Sequence, residues 1–237
     1  MTITSPHNAR LKEIRKLRMR RRARERAGRF VAEGEDLLAA ADAAGWRPVE
    51  RYCAAGSGLA GVAVEASALA KASGLASGTR ALAVYDERWA PAPLGPLCVY
   101  LRGVHDPGNV GAVLRSAQAF GASSVALGPG SADPFGPKAV RASMGAVFAV
   151  ALTRAATIGE LPGSKVALVA GAKAPLSSFT PLTGDVTLLI GSEREGLPED
   201  VVEQADHVAS IPIRIESLNA AMAATVALYE LTRMAPA

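Results

Sequence analysis

Three polar, glycine-rich stretches hold most of the side chains that could do chemistry: "HDPGNVGAVLRSA" (105–117), "GSEREGLPED" (191–200) and "IPIRIESLNAA" (211–221). Each joins an apolar run to a helical pattern, so each brings free backbone N–H groups to a helix start. Their chemistry-bearing side chains are Asn109, Arg115, Glu193, Ser217 and Asn219. A guanidinium, a carboxylate, a hydroxyl and two amides suit hydrogen bonding and recognition of charge. Arg115 is the least ordinary of them. Val110, Val113, Leu114 and Ala117 form one apolar stripe at helical spacing, with Asn109 as the expected N-cap and Gly121 as the expected stop. Arg115 lies roughly 140° from the start of that stripe, at about 100° per residue. Solvated surface arginines are common, so the residue alone reads as an exposed charge and leaves its place on this helix a question.

Other chemistries lack their residues. There is no GxGxxG after a strand and no GxxxxGK[ST]. The nearest approach to GxSxG, "RASMG" at 141–145, has Arg141 where the first glycine belongs. Cys53 and Cys98 sit in no paired motif, and His7, His105 and His207 are widely separated, so no metal is expected.

The elements that must hold the three stretches follow a regular alternation. From residue 97, "LCVYLRGV", "SSVALG", "VFAVAL", "KVALVAG", "VTLLIG" and "HVASIPI" read as strands. Helices are expected over 109–120, in "PKAVRASMG", in "PEDVVEQAD" with Pro198 at its first position, and in "SLNAAMAATVALYELTR" capped by Ser217. This predicts an α/β fold with a mostly parallel sheet covered on both faces, its ligands at the carboxyl ends of the strands. Residues 1–85 read as a smaller α/β domain, with helix, turn and strand over "RFVAEGEDLLAAADAAGWRPVERYCAAG". Residues 86–96, with Pro91, Pro93 and Pro96, read as a linker to a second domain over 97–237.

Charge points to a polyanionic partner. The net charge of +4 hides a block at 10–29 with eleven Lys or Arg against Glu13 and Glu25, a local +9 that leaves −5 for the rest. Such a block on a mildly acidic body favours nucleic acid. Arg10, Lys12, Arg15, Arg18, Arg20, Arg21 and Arg22 are its candidate phosphate contacts, with Arg141 and Lys138 nearer the three stretches. No membrane-spanning run or hydrophobic leader is present, which predicts a cytoplasmic protein. The final helix reads as apolar all round, from Ala220 to Leu228, and predicts burial against a second copy in a homodimer.

"NVGAVLRSA", "GSEREGL" and "SLNAA", in that order, resemble the three motifs of the SpoU, or TrmH-type, RNA ribose methyltransferases of the SPOUT superfamily. "SPHNARLKEIRKL" and "RFVAEGEDLL" resemble the ribosomal-protein-like substrate domain that many such enzymes carry in front. The resemblance implies a deep trefoil knot in the second domain. It also implies methyl transfer from S-adenosylmethionine to a ribose 2′-hydroxyl, on large-subunit ribosomal RNA, with transfer RNA or a non-catalytic RNA-binding role as alternatives. It assigns Arg115, Asn109, Glu193, Ser217 and Asn219 to the catalytic centre, with Glu193 hydrogen-bonded to Asn109. Gly191, Gly196, Ile211, Ile213, Leu218 and Asn219 fall to the cofactor. Arg115 is left as a clamp or, activated by a substrate phosphate, as a base. The third motif departs from the family: Ile213 stands where methionine is usual, the connection to Ser217 is short, and Ala220–Ala221 replace Val-Ser. A slightly altered cofactor loop is the expected consequence.

Overall fold

Alternation within the strands of the second half decides which way each residue faces. The computed structural model describes residues 2–75, 78–179 and 184–233. Its larger sheet has six strands: β5 (Leu97–Leu101), β6 (Ser124–Leu127), β7 (Ala151–Arg154), β8 (Ser164–Leu168), β9 (Val186–Ile190) and β10 (His207–Ala209). All pair in parallel, in the order β10-β8-β9-β5-β6-β7. Val99, Leu101, Val125, Leu188 and Ile190 face one core with α5 (Pro107–Ala119), α6 (Pro137–Ala142) and α8 (Ala220–Arg233). Cys98, Tyr100, Ala126, Ala167 and Leu189 face the other, under the 155–161 loop and the short α7 (Glu199–Glu203). The strand order reverses at β5, the kind of switch point at whose carboxyl edge ligands collect.

The smaller sheet, β1-β4-β2-β3, comprises β1 (Arg29–Glu33), β2 (Glu50–Ala54), β3 (Val62–Val64) and β4 (Ala81–Asp86). α1 (Ala9–Met19) and α4 (Ala66–Ala72) bury Leu11, Ile14, Leu17 and Leu69 on one of its faces. Its other face, with α3 (Glu35–Ala43), joins the core of the larger sheet through Phe30, Trp46 and Tyr85, which meet Phe135 and Phe148. Phe30 sits 4.7 Å from Phe135 between ring centroids, and the Trp46 indole N–H donates to the Phe148 carbonyl at 2.8 Å. Pairs of this kind add about 0.5–1.5 kcal/mol each beyond burial. The two sheets therefore share one core. Residues 86–96, expected as a linker, are tied to the second sheet: Ala90 N–H donates to Leu152, and Leu94 exchanges two bonds with Ser124.

Several local expectations are corrected. "RFVAE" is strand β1 rather than helix, because its residues pair with β4 before Gly34 turns the chain into α3. In "VFAVAL", Val147 and Phe148 belong to the 3-10 turn Ala146–Phe148, and the strand begins at Ala151. Pro198 is the residue before α7, not its first. α8 is not buried all round. Ala220, Ala221, Ala224, Ala227 and Leu228 pack inward, whereas Met222, Val226 and Tyr229 are 62%, 42% and 55% exposed.

Candidate active site

Helix α5 starts two residues earlier than its apolar stripe suggests. Asp106 is the N-cap, accepting from Gly108 and Asn109 N–H at 2.5 and 3.2 Å, with Pro107 at the first helical position. Lys138 donates to the same carboxylate at 2.7 Å, and that bond holds the Asp106 carboxyl below its usual range. Asn109, expected as the cap, is thereby freed for another task. Its side-chain amide donates to Glu193 Oε1 at 2.5 Å and its carbonyl accepts from Asn219 Nδ2 at 3.0 Å. Asn219 in turn caps α8, accepting from Ala221 and Met222 N–H at 3.0 and 3.3 Å. That task was expected of Ser217, which instead lies exposed at the rim of a cavity. One relay of amides thus joins all three polar stretches.

The cavity, about 310 Å³, opens over β8, β9 and β10. Gly191, Gly196, Ile211, Ile213, Ser217 and Leu218 line it, together with Glu193. Asn219 is not among its lining residues and touches the relay instead. Gly191 must be glycine, since a Cβ there would run into the Gly196 and Leu197 backbone. Ser192 and Gly196 exchange backbone hydrogen bonds at 3.0 and 3.1 Å, which closes the turn against the cavity. Leu168, Val169 and Ala170 complete the wall and were missed from sequence. Their only signal was their place at the carboxyl end of a strand.

Arg115 is exposed, and its side chain has no hydrogen bond or ion pair among the described residues. It lies one turn beyond Gly111, on the ridge of α5 where a Cβ at 111 would meet the Ala139 carbonyl and Ala142 of α6. The structure joins Asn109, Glu193 and Asn219 but leaves Arg115 unattached to them. Cys98 is buried, and desolvation raises its thiol pKa, which suits a core residue rather than a nucleophile. Among the described residues no group of three His, Cys, Asp or Glu could hold a metal.

The basic run divides in two. Arg20, Arg21, Arg22 and Lys12 are exposed. Arg21 bonds Glu25 and Arg10 bonds Glu50, both at the surface. Arg15 is partly occupied by the Pro6 carbonyl at 2.8 Å. Arg18, expected on the RNA face, is turned inward: it pairs with the buried Glu33 and donates to the Ala72 carbonyl at 2.8 Å. Arg24, on α2 (Arg21–Ala27), is buried against Asp133 at 2.6 and 2.8 Å.

Residues 96–229 match the SpoU rRNA Methylase family, and residues 8–87 match the MRM3-like substrate binding domain. The chain belongs to the SpoU rRNA methylase family. It is 36% identical over 160 residues to the 23S rRNA (guanosine-2'-O-)-methyltransferase RlmB of Coxiella burnetii, covering 64% of this chain and 62% of that one. It is 30% identical to an uncharacterized tRNA/rRNA methyltransferase of Synechocystis over 98% of this chain and 93% of the other. Coverage differs widely among relatives: this chain spans 30% of a Syntrophobacter fumaroxidans protein named ribosomal RNA small subunit methyltransferase G 2, at 41% identity over 150 residues. An AdoMet-bound rRNA methyltransferase from Sinorhizobium meliloti superposes with TM-score 0.90 at 28% identity, over 100% of this chain and 99% of that one. Family membership gives the three SpoU stretches their common address; the amide relay is what this chain builds there.

Proposed function

We propose that this SpoU chain is an RNA 2′-O-methyltransferase that uses S-adenosylmethionine and acts on large-subunit ribosomal RNA. The observation that carries the reading is the Asn219–Asn109–Glu193 relay at the rim of the 310 Å³ cavity. The cavity suits that cofactor: Leu197, Ile211 and Leu218 offer apolar walls to an adenine, and the 191–196 turn offers backbone groups to its polar edge. Glu193 and Glu195 place carboxylates where a cation is to be balanced. When bound, S-adenosylmethionine supplies an electrophilic methyl group on a sulfonium.

The chain's own residues then have positioning tasks. Asn109, held by Glu193 and Asn219, presents a fixed amide beside the α5 N-terminus, where N–H groups favour a phosphate or a ribose oxygen. Arg115 clamps the RNA phosphate and orients the 2′-hydroxyl. A guanidinium, which stays protonated in proteins, serves as a fixed charge and fork of donors rather than as a base. Ser217 holds the cofactor rim. Lys12, Arg20, Arg21, Arg22 and Arg141 form the face toward RNA, and residues 1–85 the substrate-binding domain.

Two further features belong to this proposal. α8 leaves the edge strand β10 and returns to pack on α5 near the sheet centre, which supports a trefoil-knotted path. Its exposed Met222, Val226 and Tyr229, at i, i+4 and i+7, support a homodimer sealed through that stripe. Light scattering with size exclusion tests it, a monomer mass with full activity being the refuting result. Among the described residues no helix is long and apolar enough to cross a membrane, and a ribosomal RNA substrate supports work in the cytoplasm. The function itself is tested by transfer of labelled methyl to total RNA, followed by mapping of the modified nucleotide. Label in 23S RNA at a ribose is expected; label in transfer RNA alone, or none, overturns the assignment.

A further inference from the structure

The carboxyl edge of the catalytic sheet carries a second hollow that the amide relay does not use. Over β5, β6 and β7 lie two adjoining cavities of about 500 and 350 Å³, which share Arg21 and residues 130–133 as a common wall. One opens beside Pro107, Lys138 and Arg141, at the base of the helix that carries Asn109. The other ends at Glu87, Trp89 and Arg154. Both halves of the chain contribute to the groove, the first through α1, α2 and residues 87–89, and the buried Arg24–Asp133 pair pins α2 to the 130–133 wall.

The far end is built like a stacking platform. The Arg154 guanidinium lies over the Trp89 ring at 4.3 Å from its centroid, is exposed, and has no ion-pair partner among the described residues. Trp89 is anchored at right angles against Phe135, 5.2 Å between centroids, and its N–H donates to Glu87 at 3.0 Å. Planar guanidinium and indole surfaces are what an unstacked nucleobase packs on. Glu87 separates a base from a bare phosphate as the occupant. A carboxylate facing a backbone phosphate would repel it, whereas its second oxygen can accept from a base's exocyclic amine.

We propose that this interdomain groove seats the single-stranded RNA flanking the methylated nucleotide, with one flanking base stacked on the Arg154–Trp89 platform and its amino edge at Glu87. The proposal rests on the reading of the chain as an RNA methyltransferase.

The test uses the full chain, with Arg154→Ala and Arg154→Lys, and reads binding apart from methyl transfer. Short mixed-sequence single-stranded RNA is titrated while tryptophan emission is followed, Trp46 being buried and serving as a constant background. Arg154→Ala is expected to weaken binding about five- to a hundredfold and to remove the quenching, by loss of one stacked base. Arg154→Lys, which keeps the charge without the plane, recovers only part. With ribosomal RNA as substrate the same variants raise KM and leave kcat and cofactor affinity unchanged. Oligocytidylate, which offers an amino donor, binds more tightly than oligouridylate. Unchanged binding and quenching in Arg154→Ala, or full recovery by lysine, overturns the platform; equal affinity for the two homopolymers overturns the role of Glu87. A wild-type protein that binds and quenches but methylates no RNA would sink the enzymatic reading and leave the platform standing, so the two failures are distinguishable.

Discussion

The two hollows along one sheet edge are built by opposite means. Over β8–β10 the wall comes from one domain, from turns at 191–197 and 211–218, and its shape is set by backbone and apolar side chains. Over β5–β7 the wall comes from residues as far apart as Arg21, Trp89, Lys138 and Arg154, and needs both sheets in place. The first hollow is local, closed on one side by the Ser192–Gly196 turn. The second exists only because a shared aromatic core and a buried ion pair hold two sheets together. A small, invariant ligand suits the first, and a long polyanion the second.

The largest effect should come from breaking that assembly. Arg24 and Asp133 have side chains only 6% and 14% exposed, and Arg24 also donates to the Leu17 carbonyl at 2.7 Å. Arg24→Ala leaves Asp133 without its partner in a desolvated site, a loss of about 3–5 kcal/mol. Urea denaturation should show it, together with a raised KM for RNA. Cofactor affinity, measured by calorimetry on the folded variant, should not move. A loss below about 1 kcal/mol would mean that surface-like screening applies, and that the groove does not depend on this clamp.

Next in size is the reaction itself. Arg115→Ala should reduce methyl transfer by about 10²–10³-fold, equivalent to roughly 2.7–4 kcal/mol, by analogy with removal of one preorganised donor. Cofactor binding should stay within a few fold, because Arg115 is not among the residues lining that cavity. Lysine should fail to rescue, since it lacks the planar fork. Near-normal turnover by the alanine variant would return Arg115 to an ordinary surface charge.

What the sequence made legible follows the same division. The strands of the second sheet and the three stretches at their carboxyl ends could be read from period and from glycine, because each signal lies within a dozen residues. The cap of α5 could not: Asp106 outcompetes Asn109 because Pro107 fits the first helical position, a preference visible in "DPG" but masked by the first apolar residue at 110. Strand β1 was misread as helix because "RFVAE" is only five residues long and follows a helical basic run. Its partner lies about fifty residues away at β4, and no local pattern reports such a pairing. The basic run misled in a subtler way. Composition counts Arg18 and Arg24 with the rest, while folding turns both inward onto Glu33 and Asp133.

That inward turn also changes how the RNA face should be probed. Removal of residues 1–29 would take Leu11, Ile14 and Leu17 out of the core of the smaller sheet, and so would report unfolding as much as missing charge. Neutralising the exposed Arg20, Arg22 and Arg26 to alanine leaves that core intact. Every arginine–phosphate pairing removed in this way should flatten the slope of log K against log salt by about 0.7–0.9. A filter-binding titration with an unchanged slope would show these arginines to be solvated only.

The smallest effect expected is at Asp106, at the head of α5. The carboxylate caps the helix and accepts from Lys138, which lines the RNA-side groove. Asp106→Ala should cost about 1 kcal/mol through removal of the cap. Asp106→Asn keeps an acceptor for Gly108 N–H and gives up only the exposed ion pair, so it should cost a few tenths. The sign with pH follows from the depressed carboxyl. Its stabilising contribution is fully present above the unfolded aspartate pKa of about 3.9 and is lost as pH falls through the lower folded value. The stability gap between wild type and Asp106→Asn should therefore close only below about pH 4. Thermal melts of the two proteins across that range decide it. A gap that vanishes already near neutrality would show that the Lys138 bond contributes nothing to holding the relay's helix in place.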